Sequence, residues 1–161
     1  MRKILTIIIL FLSTTTLSAN DRDVELDKLF LELKKNIPSL SSRIAQQIWT
    51  LWSTHPSDQK LTSILDEGSR LVQDRQLNRA IDVFTEAIKL DPTWAEAWNK
   101  RATVFYMVGE FQKSQDDIDK VLELEKRHFG ALAGQGMVNI CLLYTSPSPR
   151  DATLSRMPSS A

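Results

Sequence analysis

Two histidines, one cysteine and a short run of aspartates are the groups in this chain whose types could do chemistry. An enzyme needs a nucleophile beside a base, paired carboxylates in a cleft, or clustered metal ligands. His55 and His128 each fall at a junction between predicted helices, beside apolar neighbours, where an imidazole packs or caps a turn. Asp116, Asp117 and Asp119 look like a metal set, but on a helix Asp116 and Asp119 share a face while Asp117 turns away. Without the glycine-containing spacing of a calcium loop, they read as part of a solvated surface with Lys113 and Lys120. Residues 20–140 contain no cysteine, so disulfide and thiol chemistry do not enter. Trp49 and Trp52, three apart on one helix side, read as packing residues rather than a ligand-stacking platform. The expectation is a protein with no catalytic residues, no metal and no cofactor.

What positions the polar groups is a helical hairpin written twice at a spacing of 34 residues. Ile64 recurs as Trp98, Gly68 as Ala102, Leu71 as Phe105, Ala80 as Ser114, Phe84 as Ile118, Ala87 as Val121 and Leu90 as Leu124. A third copy opens with Leu132 and Gly136. Small and large apolar residues at fixed offsets predict stacked helix-turn-helix units. The first unit reads as helices over 61–73 and 77–90, with Gly68 and Ala80 where two backbones approach closely. Asp91-Pro92 breaks the chain. Thr93 with Glu96 then forms a capping-box pattern for a helix over 94–108. Gly109 suits the left-handed position that ends that helix, and another follows over 111–125. Upstream, apolar residues at helical spacing predict helices over 21–35 and 40–54, separated by a breaker at Pro38. This 20–56 hairpin is expected to be a degenerate repeat or a cap that covers the first face of the stack.

These residues resemble the tetratricopeptide repeat (TPR) family: Trp98, Ala102, Phe105, Gly109 and Phe111 meet its pattern, as do Gly68, Leu71, Ala80, Phe84, Ala87 and Pro92. Departures are Ile64 for the tryptophan, Glu67 and Arg101 before the small residue, Ser114 for alanine and Lys126 for the closing proline. Glu67 and Arg101 are long enough to reach solvent. The order Leu26-Asp27-x-Leu29-Phe30, Ile48-Trp49-x-Leu51-Trp52 and Arg127-His128-Phe129-Gly130 further resembles exported TPR proteins of proteobacteria. The resemblance implies an all-α fold, a short right-handed α-solenoid, with repeats at 61–94 and 95–128 and a partial third at 129–140 within 57–140. It also implies a concave surface lined by the first helix of each repeat. Carried onto this chain, that face holds Thr62, Leu65, Ser69 and Val72, then Glu96, Asn99, Lys100, Thr103 and Tyr106. Such groups either grip a peptide or protein segment or form an ordinary solvated helix face. The Lys/Asn clamp for a C-terminal carboxylate is absent from the first repeat, where Leu65 and Ser69 stand, while Lys100 beside Asn99 leaves a weaker anion contact open.

The two ends read differently from the middle. Arg2 and Lys3, an apolar run over 4–12 broken only by Thr6, and Leu17-Ser18-Ala19 make a signal peptide over 1–19. The run is about half of the roughly 20 residues needed to span a bilayer. A periplasmic or secreted protein is therefore expected, membrane-anchored if the signal is kept. After Ile140 the repeat pattern stops, and Cys141-Leu142-Leu143-Tyr144-Thr145-Ser146-Pro147-Ser148-Pro149-Arg150-Asp151 resembles the translation of a sequencing-library adapter, as does 155–161. Residues 141–161 are thus expected to be adapter-derived and disordered, and the natural chain to continue past Ile140. Ile118, Val121 and Leu122 would then lie partly uncovered. Two of the 20 basic residues fall in the leader and two in the tail, against one of the 20 acidic ones, so 20–140 is acidic by about three charges. That argues against nucleic acid, which needs a basic stripe. The implied function is a non-catalytic scaffold or assembly factor binding a protein or peptide. The alternatives are the recruiting arm of an exported enzyme and an envelope-anchored structural protein.

Overall fold

The computed structural model describes residues 19–145, all of whose regular structure is helical. The helices are α1 (Ala19–Lys34), α2 (Pro38–Ser53), α3 (Gln59–Gln73), α4 (Leu77–Leu90), α5 (Ala95–Met107), α6 (Phe111–Leu124) and α7 (Phe129–Thr145). Pro38 ends the first hairpin turn and also opens α2, where its missing N–H costs nothing. Residues 1–18, all but the last residue of the expected leader, and 146–161, most of the tail expected to be disordered, lie outside the described residues. Among those described, no helix is long and apolar enough to cross a membrane.

The repeat is visible in the backbone. Gln76 N–H donates to Leu71 O at 2.8 Å, and 34 residues on Glu110 N–H donates to Phe105 O at 2.9 Å. Gly109 takes a φ of +81° as expected, and Arg75, its equivalent, takes +60°. Asp91 and Glu125, which end α4 and α6, share φ −140° and ψ 94°. Small residues set the spacing within each hairpin. A Cβ on Gly68 would lie 2.3 Å from the ring of Phe84, so only glycine lets that phenylalanine sink fully between α3 and α4. Ala80 and Ala87 are sealed beside it, and Leu61, Leu65, Trp94 and Val104 carry this core into the second repeat. A further core joins Ala102, Ile118 and Val121 to Ala131 and Val138 of α7.

Five expectations are corrected here. The capping box does not form: Thr93 N–H and Oγ1 both bond Asp91 Oδ1, and Glu96 points into the interior. Asp91 closes the turn through its own side chain, which leaves Thr93 no free role as a cap. Arg101 does not run out to solvent, and Asp117 is not a surface residue. Arg101 Nε and Nη2 donate to the two Asp117 oxygens, each at 2.8 Å, and Nη1 donates to Thr85 Oγ1 at 3.0 Å. A planar guanidinium matches a carboxylate at both ends, and this pairing lets both be buried. Ile118 and Val121 are not uncovered, because α7 packs over them. At this end of the stack the exposed apolar residues lie one helix further on, Leu132, Met137 and Ile140 among them, and α7 continues five residues beyond Ile140.

The fifth correction concerns the N-terminal hairpin. Its apolar residues Leu26, Leu29, Ile44, Ile48 and Trp52 gather with Phe129 of α7 rather than with the α3–α4 core. Trp94 Nε1 donates to Trp52 O at 2.8 Å, and Arg127 pairs with Asp27. The hairpin therefore lies across the turns that lead into α5 and α7. An apolar stripe fixes that a helix must be covered but not by what, so periodicity alone could not tell this placement from an end cap.

Candidate functional site

The inner helices α3 and α5 form one wall and floor of an open groove, and Trp49 of α2 stands against them. Its lining includes Ser69, Val72, Asn99, Lys100 and Thr103 over Phe84 and Val104, around an empty volume of about 680 Å³. A second hollow of about 360 Å³ adjoins it between α5 and α7, sharing Asn99 and Thr103 and adding Tyr106, Met137 and the glycine-bearing side of α7. Ser69 and Thr103 occupy equivalent places, and each hydroxyl donates to the carbonyl one turn back, at Leu65 O and Asn99 O. Lys100 is the one charged residue among those lining the two hollows. The trough is a mildly polar surface with aromatic and apolar patches.

Six of the nine residues expected on the concave face come together here: Ser69, Val72, Asn99, Lys100, Thr103 and Tyr106. The other three do not. Leu65 is 1 % exposed and belongs to the core. Thr62 is buried, its Oγ1 accepting the His55 N–H at 2.9 Å. Glu96, 1 % exposed, faces inward. Asn99, though it borders the trough, is also largely buried. The face was carried over from the family resemblance, which does not register the N-terminal hairpin packed beside it.

Beneath the trough lies a network that sequence reasoning missed. His128 and Glu96 are both sealed from solvent and meet at 2.9 Å through Nε2 and Oε2. His128 Nδ1 accepts the Ala131 N–H, so Nε2 carries the N–H and donates it as a hydrogen bond to Glu96. Asn99 Nδ2 donates to the same Glu96 oxygen at 3.1 Å, and Lys100 Nζ stands 3.5 Å from the other. The His128 ring stacks on Trp52 at 4.1 Å between centroids. The reading of both histidines as packed or turn-capping holds. His55 Nδ1 accepts the N–H groups of Ser57 and Asp58, and its Nε2 meets Asp91 Oδ2 at 2.8 Å. The signal that could have found the buried pair is the repeat register, since His128 sits 34 residues after the buried Trp94.

The turn carboxylates titrate according to their partners. Burial pushes Asp91 up, but hydrogen bonds from Thr93 and His55 outweigh it and hold the group below the usual carboxylate range. Glu125 is likewise held low, its desolvation overcome by the guanidinium and backbone N–H of Arg127. Asp117 goes the other way: desolvation raises it more than Arg101 lowers it.

Among known proteins, the chain is 37 % identical over 114 residues to a TPR repeat-containing protein of Rhizobium etli, a match covering 70 % of this chain and 55 % of that one. It is 28 % identical over 98 residues to sperm-associated antigen 1 of Rattus norvegicus, covering 57 % of this chain and 11 % of the relative. Over 69 residues it is 30 % identical to a tetratricopeptide repeat and J domain-containing co-chaperone of Cryptococcus neoformans, covering 43 % and 13 %. The chain thus spans about half the length of the Rhizobium protein and a small part of the other two. No family model matches it.

Proposed function

From a chain built of tetratricopeptide repeats, the kind of repeat that binds protein partners, we propose a non-catalytic scaffold or assembly factor of the bacterial periplasm. It takes a peptide or protein segment in the trough between α3, α5 and α7. The observation that carries this reading is the joined pair of hollows lined by Ser69, Asn99, Thr103 and Tyr106. Their hydroxyl, amide and aromatic groups suit backbone hydrogen bonds and side-chain packing together. The acidic balance of 20–140 and the charged leader with its apolar run support an exported protein whose partner is not nucleic acid.

Thr103, exposed and shared by both hollows, is the position at which to test the groove. Peptides selected from a display library on the chain from residue 20 should lose binding at least about tenfold when Thr103→Arg fills the trough. They should be indifferent to Lys89→Glu on the exposed side of α4. Selected peptides that ignore Thr103→Arg would remove the groove reading. The mass of the exported chain, with or without residues 1–19, tests the compartment.

A further inference from the structure

The hairpin is the part of the molecule that the repeat pattern does not require, yet it lies on the repeats' inner surface. Trp94 and His128 are equivalent positions, each just before an inner helix, and both engage Trp52: one donates to its carbonyl, the other stacks on its ring. Trp49 reaches α7 at Gly130, where a Cβ would come 2.5 Å from the indole, and meets Phe129 edge-on at 5.1 Å between centroids. A helix thus crosses two successive inner helices and uses the same repeat position twice.

The chemistry of α2 suits that surface. Arg43 is its only charged residue, and Ile44, Ile48, Trp49 and Trp52 make its inward stripe. The trough beside it is correspondingly poor in charge. The contact is also incompletely satisfied. The indole N–H of Trp52 and the Nε–H of Arg22 are buried without an acceptor in the protein. The rim is held by an exposed pair, Arg127 with Asp27, and by the Arg127 guanidinium 4.6 Å over the Phe30 ring. His55, meanwhile, is pinned to the first repeat through Thr62 and Asp91. If the hairpin lifts, it pivots at Thr54 and stays tethered beside its site.

We propose that the inner surface formed by Trp94, Glu96, His128 and Gly130 is a helix-binding site and that α2 is its resident occupant. The partner able to replace α2 is an amphipathic helix with little charge and two aromatic residues three positions apart. This rests on the groove reading and deepens it, naming a helical segment as the ligand. Tethering gives α2 a high local concentration, so an outside helix binds the intact chain weakly and binds a loosened one well.

The test uses a labelled peptide of residues 38–53 and the same peptide with alanine at the positions of Trp49 and Trp52. Both are titrated by anisotropy into the full chain, into Trp52→Ala and into Arg127→Ala. The 38–53 peptide should bind each variant at least about tenfold more tightly than it binds the unaltered chain. The alanine peptide should bind none of them, and the variants should sediment as monomers. Variants with unchanged helical circular dichroism that take no peptide would overturn the proposal. So would dimers, which make a second copy's hairpin the occupant. Should Trp52→Ala fail to fold, Arg127→Ala, which removes the contacts to Asp27, Phe30 and Glu125 but leaves the buried stripe of α2 intact, still decides. Library peptides that depend on Thr103 while 38–53 fails to bind would sink the helix site and leave the groove reading standing. If neither binds, the groove reading itself has failed.

Discussion

The two complete repeats share a backbone almost turn for turn, and they differ in what fills it. In the first, Gly68 admits Phe84, Glu67 is exposed and Val83 is half-buried. In the second, Ala102 meets the smaller Ile118, and the positions equivalent to Glu67 and Val83 hold the Arg101–Asp117 pair. One hairpin is closed by a large ring in a glycine notch, the other by a buried ion pair beside a smaller apolar contact. A repeat therefore fixes the frame, while each unit solves its own packing. The charged solution appears in the repeat that the N-terminal hairpin and α7 both abut.

Breaking the ion pair should have the largest effect. The side chains of Arg101 and Asp117 are 16 % and 6 % exposed, so Asp117→Ala leaves a guanidinium largely buried without its counter-charge. The expected loss is about 3 kcal/mol, read from the urea midpoint, because the lone charge bears its desolvation cost in full. Replacing both charges with apolar side chains should undo this. Arg101→Leu with Asp117→Val is expected to come within about 1 kcal/mol of the natural chain, since an apolar pair of similar volume often matches a buried ion pair. A double variant as unstable as Asp117→Ala would show that the pair also selects the geometry of α5 on α6.

The notch comes next. Gly68→Ala drives a methyl into the Phe84 ring and should cost about 2 kcal/mol. Phe84→Ile alone leaves a void and should cost about 1 to 2 kcal/mol. Together they copy Ala102 with Ile118, so the double variant should lose clearly less than the sum of the singles. Strict additivity in that cycle would mean the two hairpins do not share one packing rule.

The pH response separates the turn carboxylates, alike in both repeats, from the buried ion pair of the second. Asp91 and Glu125, whose carboxyls are held below their ordinary range, add stability that is present above that range and lost as the pH falls through their lowered folded values. Asp117 is raised, so its contribution has the opposite sign: its burial opposes folding once it ionises and is relieved in acid. Acid unfolding should therefore start from the turns after α4 and α6. Asp91→Asn should flatten the fall in stability below the ordinary carboxylate range, whereas Asp117→Asn should not. Urea midpoints taken across that range separate the two.

Much of this was legible before any coordinates. The repeat register, the bounds of α4, the glycine notch and the turn at Gly109 follow from local rules, in which a residue's role depends on neighbours a few positions away. What escaped depends on distant partners. Glu96 looked like a capping or concave-face residue because Thr93 precedes it and the family resemblance puts it on the inner surface. It is buried because His128, 32 residues later, supplies a donor. Arg101 looked long enough to reach water until Asp117, 16 residues away, gave it a mate indoors. The apolar stripe of α2 announced a buried face but was silent on which surface would bury it. That choice was made by Phe129, Trp94 and His128, brought together by the stack itself.

The smallest expected effect bears on the backbone alone. Gly109 and Arg75 occupy the same left-handed turn position in the two repeats, at φ +81° and +60°. A Cβ at Gly109 would meet nothing within 4 Å, so Gly109→Ala changes conformational energy without a clash and should cost about 1 kcal/mol. Arg75→Gly relieves the same strain in the first repeat but loosens the unfolded chain, which offsets part of the gain. The net should be a stabilisation of about half a kcal/mol, visible as a small rise in the urea midpoint. Arg75 is exposed, so little packing is lost in the exchange. If Arg75→Gly destabilised the protein instead, the side chain rather than the backbone would be what the first turn selects. The shared frame of the two repeats would then owe less to glycine than the second repeat implies.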